Sequence, residues 1–234
     1  MITPKGITFD IRYEVRLQQP IFALGTGGVP SILKAVYEGI SPRYYIASSG
    51  LRGHTASTFA DLVAEITLFN GIGTLSIFGD RYTFSVSNLG SDADIDTFVD
   101  CVNLGEKALS GIVDFPQTVG SSIAVEGKVE LDDASPPGMN FANEIVTWTK
   151  QPEFQDLGNP RLNRILQTEL ISDEQGWTCL LRVGTAEQFP KELLISLFFV
   201  YSEATTLKSI DQKREHVGLL FERVARFVGI GALP

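Results

Sequence analysis

The chain has 234 residues, 44% hydrophobic and 20% charged, which is apolar enough to bury a substantial core and excludes extended disorder. Its formal charge is −9 and its lysines and arginines are scattered, so the clustered basic footprint that nucleic acid or an anionic membrane surface needs is missing from the sequence. The longest apolar stretch, Leu193 to Tyr201, is far short of a bilayer span.

Two cysteines, Cys101 and Cys179, form neither a disulfide framework nor a metal-ligand spacing, which suits a reducing compartment. The first residues, Met-Ile-Thr-Pro-Lys-Gly, lack the basic, apolar, small order of a signal peptide. These features lead us to expect a cytoplasmic protein without cofactor or metal.

Ile7, Phe9, Ile11, Tyr13, Val15 and Leu17 alternate with polar residues through Gln18. Successive strand side chains point to opposite faces, so this is a strand with one apolar and one wet face. A wet face argues for an antiparallel sheet rather than a doubly wound parallel one. After Gln19-Pro20, the run Ile21 to Leu24 ends in Gly25-Thr26-Gly27-Gly28. Pro30 then suits the first turn of a short helix reaching about Glu38. Residues 39–54 read as loop, with a short strand at Tyr44 to Ala47.

Phe59, Leu62, Val63, Ile66 and Phe69 recur at helical spacing before Asn70-Gly71, and predict a helix over 57–70, with Thr58 and Asp61 as its cap. Gly79-Asp80 suits a two-residue hairpin turn. Such a turn sets Leu75 opposite Phe84, Ser76 opposite Thr83 and Ile77 opposite Tyr82, so turn and hydrophobic register agree. A helix follows over Asp94 to Ser110, stopped by Gly111.

The alternation returns at Ile123, Val125, Gly127, Val129 and Leu131. Beyond the loop at 132–138, Asn140 can cap a helix carrying Phe141, Ile145 and Trp148, although Val146 to Trp148 also fit a strand; 151–160 is loop. Residues 161–172 fit either helix or strand. The turn Asp173-Glu174-Gln175-Gly176 before Trp177 to Val183 needs a partner strand, which favours strand. Leu193 to Tyr201 is apolar at nearly every position and reads as a central strand covered on both faces. Ser209 and Gln212 form a capping box for a last helix, Ile210 to Val228.

The expected fold is α+β, an antiparallel sheet with amphipathic helices on its apolar face. Residues 1–114 and 115–234 share an order of strand, helix, hairpin and helix, and read as two similar halves or as one domain containing both.

The chemistry is sparse. Gly25, Thr26, Gly27 and Gly28 before a helix can present backbone N–H groups to an anion. They miss the dinucleotide fingerprint, because Pro30 stands where glycine is needed, and the P-loop, because no Lys-Ser/Thr pair follows. Ser31 and Lys34 match Ser-x-x-Lys without its supporting motifs. Arg52, His54 and Thr55 can meet an acidic ligand, and together with the glycine loop would form one anion site. The acids Asp92, Asp94, Asp96 and Asp100 fail the calcium-loop pattern and suit a helix start. His54 and His216 are the only histidines, and no catalytic set assembles around them.

Three functions follow as expectations. The leading one is a non-catalytic interaction or assembly module, with a protein partner or a second copy of itself. The second is an anion- or nucleotide-binding protein, an enzyme among the options, using Gly25–Gly28 and Arg52–Thr55. The third is a carrier holding an apolar ligand between the sheet and the C-terminal helix.

Overall fold

A computed structural model describes residues 6–21, 28–54, 58, 60–112, 114–130, 165–185 and 192–227. The expectations for 132–160, including the helix capped by Asn140, lie outside the described residues. So do Gly25, Thr26, Gly27 and Thr55.

The described chain forms nine strands and three helices, and the fold is α+β. The strands are β1 (Gly6–Leu17), β2 (Leu51–Gly53), β3 (Leu62–Leu68), β4 (Gly73–Phe78) and β5 (Arg81–Leu89), then β6 (Thr118–Glu130), β7 (Ile165–Ser172), β8 (Trp177–Thr185) and β9 (Glu192–Ser202). The helices are α1 (Val29–Ile40), α2 (Asp92–Ser110) and α3 (Ile210–Phe227). All nine strands make one antiparallel sheet in the order β2-β3-β4-β5-β1-β6-β9-β8-β7.

The two alternating strands lie side by side at the centre, paired from Gly6 opposite Glu130 to Leu17 opposite Thr118. Tyr13, Val15 and Leu17 of β1 are buried with Ile123, Val125 and Val129 of β6, while Arg12 and Arg16 stay exposed. The β4–β5 hairpin takes the expected register, with Leu75 opposite Phe84 and Ile77 opposite Tyr82. Its tip is tied to the end of β1, since the Asp80 and Gly79 carbonyls accept from Leu17 and Ile21 N–H. Residues 165–172 are strand, as the turn before Trp177 requires.

Three expectations fail. Residues 62–68 are a strand, not part of a helix over 57–70. Val63, Ala64, Ile66 and Leu68 are all buried, and a register shift between Leu62 and Ala64 turns two neighbours toward covered positions. That irregularity gives the strand a spacing resembling a helix. Asn70-Gly71 serves the β3–β4 turn, where Phe69, Asn70 and Gly71 all have positive φ. The pair Thr58 and Asp61 closes a turn, with Thr58 N–H donating to the Asp61 carboxylate at 2.8 Å.

Second, Tyr44 to Ala47 is not a strand; the short strand falls at Leu51–Gly53. Third, β9 is not covered on both faces. Leu193, Ile195, Leu197, Phe199 and Tyr201 are buried, but Phe198 and Val200 are each 42% exposed. The described helices pack on the opposite side, so among the described residues Phe198 and Val200 form an exposed apolar patch rather than the inside of a second layer.

The helices begin as their sequences dictate. Ser91 caps α2 by accepting from Asp94 N–H, and Asp92 and Asp94 face the positive helix end. Ser209 and Gln212 exchange reciprocal bonds of 3.2 Å at the start of α3. Two polar links join α2 to α3: Arg214 to Asp96 at 2.6 Å and Asn103 to Asp211 at 3.1 Å.

One buried polar atom has no partner among the described residues, the Thr83 hydroxyl on β5. An unsatisfied buried hydroxyl costs more than the same-shaped apolar group. Thr83→Val is therefore expected to stabilise the protein by about 1 kcal/mol. Urea unfolding checks this, and a loss of stability would mean that the hydroxyl is satisfied.

Candidate functional site

The described residues bring a set of polar side chains together at one end of the helix-covered face. Tyr13 comes from β1, Tyr82 from β5, Ser121 from β6, Glu106 from α2 and Lys213 from α3. They line a cavity of about 690 Å³ whose far wall is formed by 115–120 and by Ser202 to Lys208.

The cluster has two parts. In the first, Tyr13 and Tyr82 hydroxyls both donate to Glu106 Oε1, each at 3.0 Å. Burial, then the Glu106 charge, pushes both phenols well above the usual tyrosine range. They therefore act as fixed neutral donors, and Glu106 as their shared acceptor.

The second part is Lys213. It is 5% exposed, and its ammonium donates to Ser121 Oγ at 2.8 Å. It also stands 5.5 Å from the Tyr13 ring centroid and 5.4 Å from that of Tyr201. Among the described residues no carboxylate lies within ion-pair distance of it. Burial holds its pKa below the usual lysine range; the more distant Glu106 charge opposes this shift and Lys208 adds to it. A buried cation without a counter-ion is costly. Three lysines in all, Lys107, Lys208 and Lys213, face two glutamates, Glu106 and Glu203, around the cavity.

Chemically, this arrangement can hold an anion against Lys213 with the Ser121 hydroxyl beside it. A neutral Lys213 could also take the proton of Ser121, as a nucleophile's base does. Acyl transfer needs donors at the developing oxyanion as well. Gly120 and Ser121 lie inside β6, paired on both sides, where ladder bonds take the backbone N–H groups.

Of the anion-site residues singled out in the sequence, the described ones, Gly28, Arg52 and His54, lie elsewhere. Gly28 is the N-cap of α1, and its carbonyl accepts from Ile32 N–H. Arg52 is on β2, 3.7 Å from the Glu65 carboxylate, and His54 N–H donates to the Val63 carbonyl. The end of β2 does approach the start of α1, since a Cβ at Gly53 would stand 3.3 Å from Val29 Cγ1. Among the described residues, no group of three His, Cys, Asp or Glu side chains could hold a metal. No described helix is long and apolar enough to cross a membrane.

Lys213 escaped the sequence reading although a signal was present. Ile210, Val217, Phe221 and Val224 are the buried stripe of α3, and Lys213 occupies the same stripe one turn after Ile210. A lysine within an apolar stripe marks either a boundary or a buried charge, and only packing separates the two.

His216 lies beside this site. Its ring is 4.8 Å from that of Trp177 and 5.0 Å from that of Phe199, and Nδ1 is 3.3 Å from the Tyr201 hydroxyl. Burial lowers its pKa. The unfolded chain then takes up a proton at higher pH than the folded one. The His216 contribution to stability is thus full above the ordinary value of 6.5 and lost as pH falls below it, toward the lowered folded pKa. Urea unfolding at a series of pH values below 7 should show a steeper loss for the wild type than for His216→Phe. Parallel profiles would show that the ring is solvated.

No protein-family model matches the chain, and no curated protein matches it. Among solved structures, TBP from Methanococcus jannaschii aligns over 94% of this chain and 98% of its own, at 9% identity and a TM-score of 0.27. A likeness this faint carries no argument about fold or ligand.

Proposed function

We propose that this protein is a non-catalytic binding protein that takes a small anion into the cavity beside Lys213. The observation that supports this reading is the buried ammonium itself, aimed into a cavity with a hydroxyl as its hydrogen-bond partner. An incoming carboxylate or phosphate would supply the missing counter-charge, and the fixed tyrosine donors and Thr205 would order its surroundings. Isothermal titration with benzoate and with inorganic phosphate near pH 7 tests it. Saturable binding by either is expected, and heat from neither would remove the reading. Repeating the titration with Arg52→Gln separates this site from one at the Gly25–Gly28 and Arg52–Thr55 loops, because only the latter would lose affinity.

A second reading, assembly through the bare sheet face, is favoured by one feature. Phe198 and Val200 of β9, with Ile171 of β7, are exposed on that face, and Leu180 lies between Glu169 and Phe198 in the register. Contiguous exposed apolar side chains of this kind mark interaction surfaces. Sedimentation equilibrium should find a dimer or larger species that Phe198→Ser with Val200→Ser dissociates. A wild-type monomer at all concentrations would count against it. The placement of β1 beside β6, flanked outward by four and three strands respectively, with a long helix closing each set, supports reading the halves as a duplication.

A further inference from the structure

A second cavity, of about 320 Å³, lies under α2 and α3 over the centre of the sheet. Its lining is mainly apolar, with Phe9 and Val125 from the sheet, Ile95 and Phe98 from α2, and Val217 and Phe221 from α3. The links Arg214–Asp96 and Asn103–Asp211 span the two helices that bound it. Tyr13 lines both this cavity and the one beside Lys213. Its ring is 5.5 Å from the Lys213 ammonium, so the buried charge and the apolar space meet at one side chain.

We infer that the ligand is an amphipathic acid of the fatty-acyl type. Its carboxylate sits at Lys213 and Ser121, and its chain runs along the Tyr13 ring into the space between α2 and α3. This rests on the anion-binding reading and adds the chemistry of the ligand's other end. An apolar cavity alone would not choose its occupant. The buried Lys213 ammonium on the other side of the Tyr13 ring does, because among the described residues no carboxylate is within ion-pair distance of it and it asks for a negative charge attached to hydrocarbon. A free inorganic anion would use the Lys213 end and leave the second cavity idle. Gly218 on α3 lines that cavity and has open space where a Cβ would stand, so a side chain can be added there without a clash at its first atom.

The test is isothermal titration of the full chain with hexanoate, octanoate, decanoate and dodecanoate below their micelle concentrations, beside benzoate and phosphate. Affinity is expected to rise about fourfold per methylene until the cavity is filled. Gly218→Phe and Ile95→Phe should each flatten that series while benzoate binding stays as in the wild type. Thermal unfolding of both variants verifies that they are folded. If benzoate binds through Lys213 but chain length has no effect, the fatty-acyl inference is overturned and the anion site stands. A chain-length series unchanged in both filled variants would also overturn it, since the hydrocarbon would then lie elsewhere. If no member of the panel binds, both readings fall together.

Discussion

Replacing Lys213 with methionine should weaken anion binding by about ten- to a hundredfold while raising stability by roughly 1–3 kcal/mol. The two effects share one cause. A charge-assisted hydrogen bond to a ligand is worth more than a neutral one, and the ammonium is the buried charge available to make it. In the free protein that same charge has lost its water and gained a hydroxyl and two aromatic faces, which do not fully replace it. Methionine keeps the length and packing of the side chain and removes the desolvated charge.

The pH dependence gives a second readout. Because the folded pKa of Lys213 is lowered from 10.5, the unfolded chain holds the extra proton between the two values. Stability from this group therefore rises with pH across that interval and is smallest below it. The buried thiols act oppositely at higher pH. Burial pushes Cys101 up to about 12 and Cys179 to about 11, from 9.0, so stability falls above the unfolded thiol value. The difference between wild type and Lys213→Met isolates the lysine. Urea unfolding at pH 7 to 10 should show the variant's advantage shrinking as pH rises; a constant advantage would mean that the ammonium is better solvated than its burial implies.

Gly127→Ala should destabilise the protein by about 1–3 kcal/mol, the usual cost of overpacking. Gly127 lies on the helix side of β6, and a Cβ there would stand 2.6 Å from Phe221 Cε2 and strike Cζ as well. Phe221 is buried and packs edge-on against Phe9 with ring centroids 5.2 Å apart, so it has little room to retreat. The added methyl would push α3 away from the sheet. Adding Phe221→Leu to Gly127→Ala should recover part of the loss, because the smaller side chain vacates the contested volume. Denaturant midpoints of both variants check this. An alanine variant as stable as wild type would show that α3 is free to shift, and the cavity beneath it would then be adaptable.

Much of the sheet was legible because its determinants are local. The alternation in β1 and β6 is a direct record of the two-residue period, and a one-residue slip would expose every buried side chain. The β4–β5 register was legible because turn position and apolar pattern constrain it independently. In β3 the two periods overlap. Leu62, Val63, Ile66 and Phe69 satisfy a helical spacing, whereas Val63, Ala64, Ile66 and Leu68 satisfy a strand with an irregularity. Pairing with β2 and β4 decided between them: β2 reads as loop in the sequence, and β4 already has β5 as its hairpin partner.

The covered-strand reading of β9 failed for a related reason. Composition reports that Phe198 and Val200 are apolar, but whether a second layer covers them depends on where the helices pack. The candidate site was the least legible part. Tyr13 and Tyr82 counted as members of apolar faces, and nothing in the sequence singled out Glu106. Gly127 fell within an apolar alternation with nothing to say why it had no side chain.

By itself the sequence determined the α+β class, the two long alternating strands, the hairpin register, the Gly111 stop of α2 and the capping box of α3. Each depends on side-chain periodicity or on hydrogen bonds spanning a few residues. The tertiary structure alone decided the strand order, the bare face of β9, and the meeting of Tyr13, Tyr82, Glu106, Ser121 and Lys213. Those depend on the free energy of burying groups far apart along the chain, which no local pattern encodes.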